Sequence, residues 1–158
     1  MSRLLALDLS SNVGHAILVR GRPPTFGTLQ LFHPDRARRL GAFLVWLEEM
    51  YAVHGFDGIA WERPLLLRTD KVDKLEILYG LVGIAYAFAG KHDLPWREVT
   101  VQEAKHALTG KSNADKSEML FAAVRVMGWK ATNDHEADAG AVGLVAYDRL
   151  WPKAKVAA

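Results

Sequence analysis

Thirteen residues near the end of the chain, TNDHEADAGAVGL (Thr132 to Leu144), set Asp134, His135, Glu136 and Asp138 at the head of a small, apolar helix. Adjacent acids repel, and an acid on the buried side of a helix is costly unless something compensates it. Thr132 and Asn133 are N-cap types, and Asn133 with Glu136 three residues on reads as a capping box. At about 100° per residue, Asp138 shares a face with Ala141, Val142 and Val145, and His135 and Asp134 lie within roughly 60° of it. Glu136 points the opposite way, near Tyr147, and reads as a solvated capping acid. Complementing the helix dipole accounts for Asp134 and Glu136. It does not account for Asp138, which sits a full turn into the helix on the apolar stripe and calls for a cation.

Two further acids end apolar segments. Asp8 interrupts RLLALDL among Leu5, Leu7 and Leu9, and Glu62 closes FDGIAWE just before Pro64. If these two segments are adjacent parallel strands, Asp8 and Glu62 meet at their C-terminal ends. The last helix can then bring Asp138 and His135 over the same point. Three carboxylates in one low-dielectric spot cannot all stay ionised unaided. Hard divalent cations resolve the conflict, and magnesium is held by a few protein carboxylates plus substrate phosphate. Two ions about 3.5–4 Å apart clamp the attacking and leaving oxygens of phosphodiester cleavage.

The elements that must position these residues follow from periodicity. RLLALDL is a strand buried on both faces, and VGHAILV and FGTLQLF follow as strands across the turns SSN and RGRPP, giving an antiparallel meander. Asp35 caps a helix running to about Val53, and FDGIAWE is the fourth strand. Asp70 opens a second long helix to about Ala89. PWREVT is a fifth strand, VQEAKHALTG a short helix ended by Gly110, and Ser112 or Asn113 caps another helix to about Met127. The order predicts an α/β fold: a mixed five-stranded sheet, three antiparallel strands plus parallel ones, with helices on both faces.

The second long helix is apolar on two sides, so it is buried on two sides. Leu75, Leu78, Tyr79, Val82 and Tyr86 form one stripe; Ile77, Leu81, Ile84 and Phe88 form the other. The second stripe is assigned to a homodimer interface, with cover by a loop or by the first helix as the alternative.

With 158 residues and a hydrophobic fraction of 50%, one compact domain over residues 1–150 is expected, with 151–158 as a short flexible tail. There is no cysteine, which excludes disulfides and zinc–thiolate sites and is compatible with a reducing compartment. MSRLLALDLSS meets Asp8 too soon to read as a leader or membrane span. The net charge of +2 identifies no partner by itself, but DRARR and the Lys105–Lys116 region are locally basic. TGKS (Thr109 to Ser112) lacks the glycine that a phosphate-binding Walker loop needs five residues earlier, where Lys105 stands, so no nucleotide cofactor is expected. A turn whose amides and lysines, Lys111 among them, meet DNA phosphate suits it better. Arg36, Arg38 and Arg39 oppose the dipole of the helix they open. Arg63 either touches DNA or pairs with an acid.

LLALDLSSNVGHAIL, GIAWERP, EAKHALTGKSNADKSEM and DHEADAGAVGLVAY resemble, in order, the successive motifs of RuvC-type Holliday junction resolvases. The resemblance runs from Leu4 to about Tyr147. It implies an RNase H-like fold, a cytoplasmic homodimer, and magnesium-dependent cutting of four-way DNA junctions, with two ions per site and manganese as a substitute. It places Asp8, Glu62, His135 and Asp138 at catalytic, metal-holding positions, and Lys105 and Lys116 at DNA-facing ones. Departures mark a divergent, phage-like member: Asp8 is followed by Leu9-Ser10-Ser11 rather than Pro-Gly, and Glu62 by Arg63-Pro64-Leu65-Leu66. Rival readings are the same site acting on RNA–DNA hybrid or flap, a nuclease-dead structural DNA binder, and an actin-like kinase, which would need about twice this length.

Overall fold

The computed structural model describes residues 1–153. Three antiparallel strands come first: β1 (Arg3–Asp8), β2 (Asn12–Val19) and β3 (Thr25–Gln30). Helix α1 (Arg36–His54) leads to β4 (Gly58–Glu62), and α2 (Val72–Lys91) to β5 (Trp96–Val99). Then come α3 (Val101–Thr109), α4 (Lys116–Phe121), a π-helical turn (Ala122–Val126) and α5 (Asp134–Leu150). The sheet order is β3-β2-β1-β4-β5, with β4 parallel to both β1 and β5. Leu7 pairs with Trp61, so Asp8 and Glu62 stand next in line at neighbouring C-terminal ends.

The strands alternate, and the two faces differ in size of side chain. Leu5, Leu7, Val13, Ile17, Ile59 and Trp61 point towards α1 and α2. Leu4, Ala6, Ala16, Leu18 and Ala60 point towards α3, α4 and α5. Three alanines let α5 lie close to the sheet, and its glycines complete the fit. A Cβ on Gly143 would stand 2.3 Å from Leu18, and one on Gly140 2.5 Å from the Trp129 ring.

The caps show which local signals decide. Asp35 caps α1 by accepting from the Arg38 amide at 2.8 Å. Thr100 and Glu103 form a reciprocal capping box at α3, and Gly110 ends that helix at φ 77°. Helix α4 starts later than expected: Asp115 rather than Ser112 or Asn113 is its N-cap, because Asp115 and Glu118 satisfy each other's amides reciprocally. Likewise α2 begins at Val72 and not at Asp70. The Asp70 carboxylate is engaged by the Leu67 amide (3.0 Å) and by Lys74 (2.7 Å) in the turn before the helix.

The proposed dimer stripe is corrected. Ile77, Leu81 and Phe88 are buried within the monomer against the β1–β4 face and α1, and Ile84 packs beside them. Leu40 of α1 lies so close that a Cβ on Gly80 would meet it at 2.8 Å. Two apolar stripes were legible; which of them faces the sheet is decided by strand positions that periodicity does not contain. Across α2, at seven-residue intervals, Val72, Tyr79 and Tyr86 are exposed. The Tyr86 ring meets Trp96 of the edge strand β5 edge-on at 4.9 Å.

Trp151, assigned to the tail, packs on the core and on Tyr147 with ring centroids 5.0 Å apart. Its carbonyl accepts from Arg20. Residues 154–158 lie outside the described residues. Among those described, no helix is long and apolar enough to cross a membrane.

Candidate active site

The C-terminal ends of β1 and β4 supply Asp8 and Glu62, and the first two turns of α5 supply Asp134, His135 and Asp138. A glycine makes this meeting possible. Gly14 is the β2 partner of Asp8, and a Cβ there would stand 2.1 Å from the His135 carbonyl oxygen. Only a bare backbone lets the start of α5 descend onto the sheet. His135 then reaches Asp8, with Nδ1 2.8 Å from Oδ2.

The electrostatics are those of a site short of positive charge. Burial, then the charges of Asp8 and Asp138, push the Glu62 carboxyl up to about 8, with Lys105 opposing. Burial, then Asp8 and Asp134, push Asp138 up to about 7, with His135 and Lys116 opposing. The Asp8 hydrogen bond holds the His135 imidazole above its ordinary value. Thus Asp8, Glu62, His135 and Asp138 share one neighbourhood, as their sequence positions implied.

Their chemistry, carboxylate oxygens plus one imidazole around an excess of negative charge, suits a hard divalent cation. Among the described residues, however, no three such side chains stand in cation-binding geometry.

The basic candidates divide. Lys116 bonds Asp134 at 2.8 Å, and this holds the Asp134 carboxyl below its usual range. Lys105 is half-buried, and its charge acts on Glu62. Lys111 pairs with Glu118 at 2.7 Å. Arg63 pairs with Glu98 at 3.2 Å, which realises the pairing alternative.

Glu136 is the clearest departure. Expected in water, it is the one buried charged residue among those described, 5% exposed. Its helix face is covered by β2 and β3, because α5 is wrapped by the sheet on one side and by α3 and α4 on others. Its carboxylate accepts from the Thr132 amide at 2.7 Å, one residue before the cap, so only half of the expected box forms. It also accepts from the hydroxyl of Thr28, a residue that nothing in the sequence singles out.

No family model matches the chain. Among solved structures, the chain is similar to Thermus thermophilus RuvC in complex with a Holliday junction substrate. The identity is 19% over 95% of this chain and 96% of that one, with a TM-score of 0.78. A structure of T. thermophilus RuvC aligns at 19% identity, 94% and 96% coverage and a TM-score of 0.75. The yeast mitochondrial Holliday junction resolvase aligns at 12% identity over 90% of this chain and 76% of that one, with a TM-score of 0.64. The fold is RNase H-like.

Proposed function

We propose that the chain is a RuvC-type endonuclease that acts as a homodimer on four-way or otherwise branched DNA and depends on divalent cations. One observation carries this reading: Asp8, Glu62, Asp138 and His135 converge at the C-terminal ends of two adjacent central strands in an RNase H-like fold that aligns with a junction-bound resolvase over nearly the whole of both chains. In this reading Asp8, Glu62, Asp138 and His135 would hold two magnesium ions. Bound there, the metal supplies the positive charge that activates water and stabilises the leaving oxygen.

The protein groups have separable tasks. Asp8 engages Nδ1 of His135, which fixes the ring and leaves Nε2 as the nitrogen free to meet a ligand or a proton. Lys105 and Lys116 flank the acids and meet phosphate oxygens. On substrate binding, Lys116 exchanges its Asp134 partner for the DNA backbone. Lys111 contributes from the rim.

Two surface features favour branched DNA. Leu65, Leu66 and Leu67 follow Glu62 on an exposed loop, each more than half accessible, with Arg63, Arg68 and Lys71 around them. Consecutive apolar side chains with basic neighbours suit insertion between bases where stacking is already interrupted. The exposed α2 stripe of Val72, Tyr79 and Tyr86, continued by Trp96, suits a second copy about a two-fold axis. A dimer would place two active sites on a junction that has two equivalent strands.

The test is cleavage of synthetic four-way junction, duplex, flap and RNA–DNA hybrid with and without magnesium. Paired incision of the junction, abolished by chelation, is expected. Preferential cutting of hybrid would assign the same site to another substrate, and absence of cutting on all four would overturn the nuclease reading.

A further inference from the structure

Glu136 raises a problem that capping does not solve. The α5 N-terminus is already capped by Asn133, whose side-chain oxygen accepts from the Glu136 amide at 3.0 Å. Alanine at position 136 would continue the helix at least as well. Burying a carboxylate is costly unless each oxygen is satisfied, and here each is. Oε2 accepts from the Thr132 amide (2.7 Å) and hydroxyl (3.1 Å). Oε1 accepts from the Thr28 hydroxyl at 3.2 Å. Asn133 adds a second link, its Nδ2 donating to the same Thr28 oxygen at 3.0 Å.

The partners lie on a line. Thr28 of β3 is paired with Gly14 of β2, and Gly14 with Asp8 of β1. The first turn of α5 touches this row three times in succession. Glu136 bonds Thr28, the His135 carbonyl lies over Gly14, and the His135 ring meets Asp8. The first contact fixes the helix end along the row, the second sets its height, and the third is the contact the site uses.

We propose that Glu136 is a positioning residue: by locking the first turn of α5 to Thr28, it sets where His135 and Asp138 stand over Asp8. The inference rests on the nuclease reading, in which those residues work. Displacement of a reacting group by about 1 Å can cost around 10²-fold in rate. Glu136 touches neither metal ligand through its side chain, and it acts through the helix that carries them.

The experiment compares Glu136→Ala, Glu136→Gln and Thr28→Val with the parent. Single-turnover cutting of a four-way junction gives rate and KM. Long-range ¹⁵N–¹H spectra of the His135 ring, recorded without metal, report its Nδ1 bond to Asp8. Glu136→Ala should lower the rate about 10–100-fold, the range typical for groups that orient metal ligands. Its KM should stay within about twofold, because the phosphate-facing lysines are untouched, and the His135 signals should change. Glu136→Gln keeps an acceptor oxygen and should recover most of both. Thr28→Val removes the Oε1 donor and the Asn133 acceptor at nearly constant volume and should fall between.

A Glu136→Ala protein that melts earlier but keeps parental rate and His135 signals would make the residue merely structural and overturn the proposal. If Glu136→Ala does not fold, Thr28→Val decides by the same readouts, and parental values there overturn it. If the parent cuts no DNA, the nuclease reading fails separately, and the His135 spectra still decide the positioning role.

Discussion

His135 and Asp8 stand 127 positions apart in the chain and 2.8 Å apart in the fold, imidazole Nδ1 against carboxylate Oδ2. The first strand and the last helix therefore close on one another through the group that the proposed chemistry needs. This contact raises the His135 pKa. A histidine whose folded pKa is raised adds stability that is complete below its unfolded value and lost as pH rises through the folded one. Asp8→Asn should lower the His135 pKa, measurable by NMR titration. The variant should retain junction binding, since phosphate contacts come from lysines, while cutting falls by orders of magnitude. An unchanged His135 titration would contradict the contact.

Crowded acids make the metal-free protein sensitive to pH. Glu62 is held up to about 8 and Asp138 to about 7. For such a group the folded state binds the extra proton between the unfolded and folded pKa values. Stability therefore falls as pH rises from the ordinary carboxylate range towards 8. In chelator, the melting temperature should be higher at pH 5 than at pH 8.5. Glu62→Gln should flatten the profile and exceed the parent at pH 8.5, by an amount on the order of a few kcal/mol at most. Magnesium should reverse the ranking at pH 8.5 by stabilising only the parent. A parent profile that rises from pH 5 to 8.5 in chelator would contradict the burial of these acids.

Lys116 and Lys111 should separate in binding assays. Lys116→Ala frees Asp134 beside the acidic centre and removes a phosphate partner. Junction affinity should fall, and the slope of log affinity against log salt should shrink by about one. Lys111→Ala at the rim should do less. Equal effects would shift the DNA path outward.

The two stripes of α2 should answer differently to charge. Leu81 is fully buried in the monomer, so Leu81→Glu should unfold the domain or cost more than about 4 kcal/mol. Tyr79 is 47% exposed, so Tyr79→Glu should leave the protomer folded. In sedimentation it should convert dimers to monomers, and paired incision should become single nicks. A Tyr79→Glu protein that remains dimeric would place the interface elsewhere.

What could be read from the sequence followed the physics of each signal. Asp8 and Glu62 were legible because an acid at the end of an apolar strand has no bland explanation, and parallel pairing of β1 and β4 then sufficed to join them. Asp138 was legible from its helix angle. Glu136 was not, because a helical wheel gives directions without saying what occupies them. It assumes one wet face, and within α5 only Asp148 and Arg149 are exposed. The α2 stripes failed for the same reason. Thr28 was invisible, since an isolated threonine in a strand carries no mark of the carboxylate it will meet.

The glycines of α5 and its seam also bear on mutational tolerance. In a saturation library, positions 14, 140 and 143 should be nearly empty of survivors whatever the chemistry of the replacement, because even a methyl group meets backbone or packed side chain within 2.1–2.5 Å. Gly41 of α1 has open space around it and should accept most residues. Depletion at the first three would record the shape of the seam, and a survey that ranked positions by depletion alone would place them beside the acids.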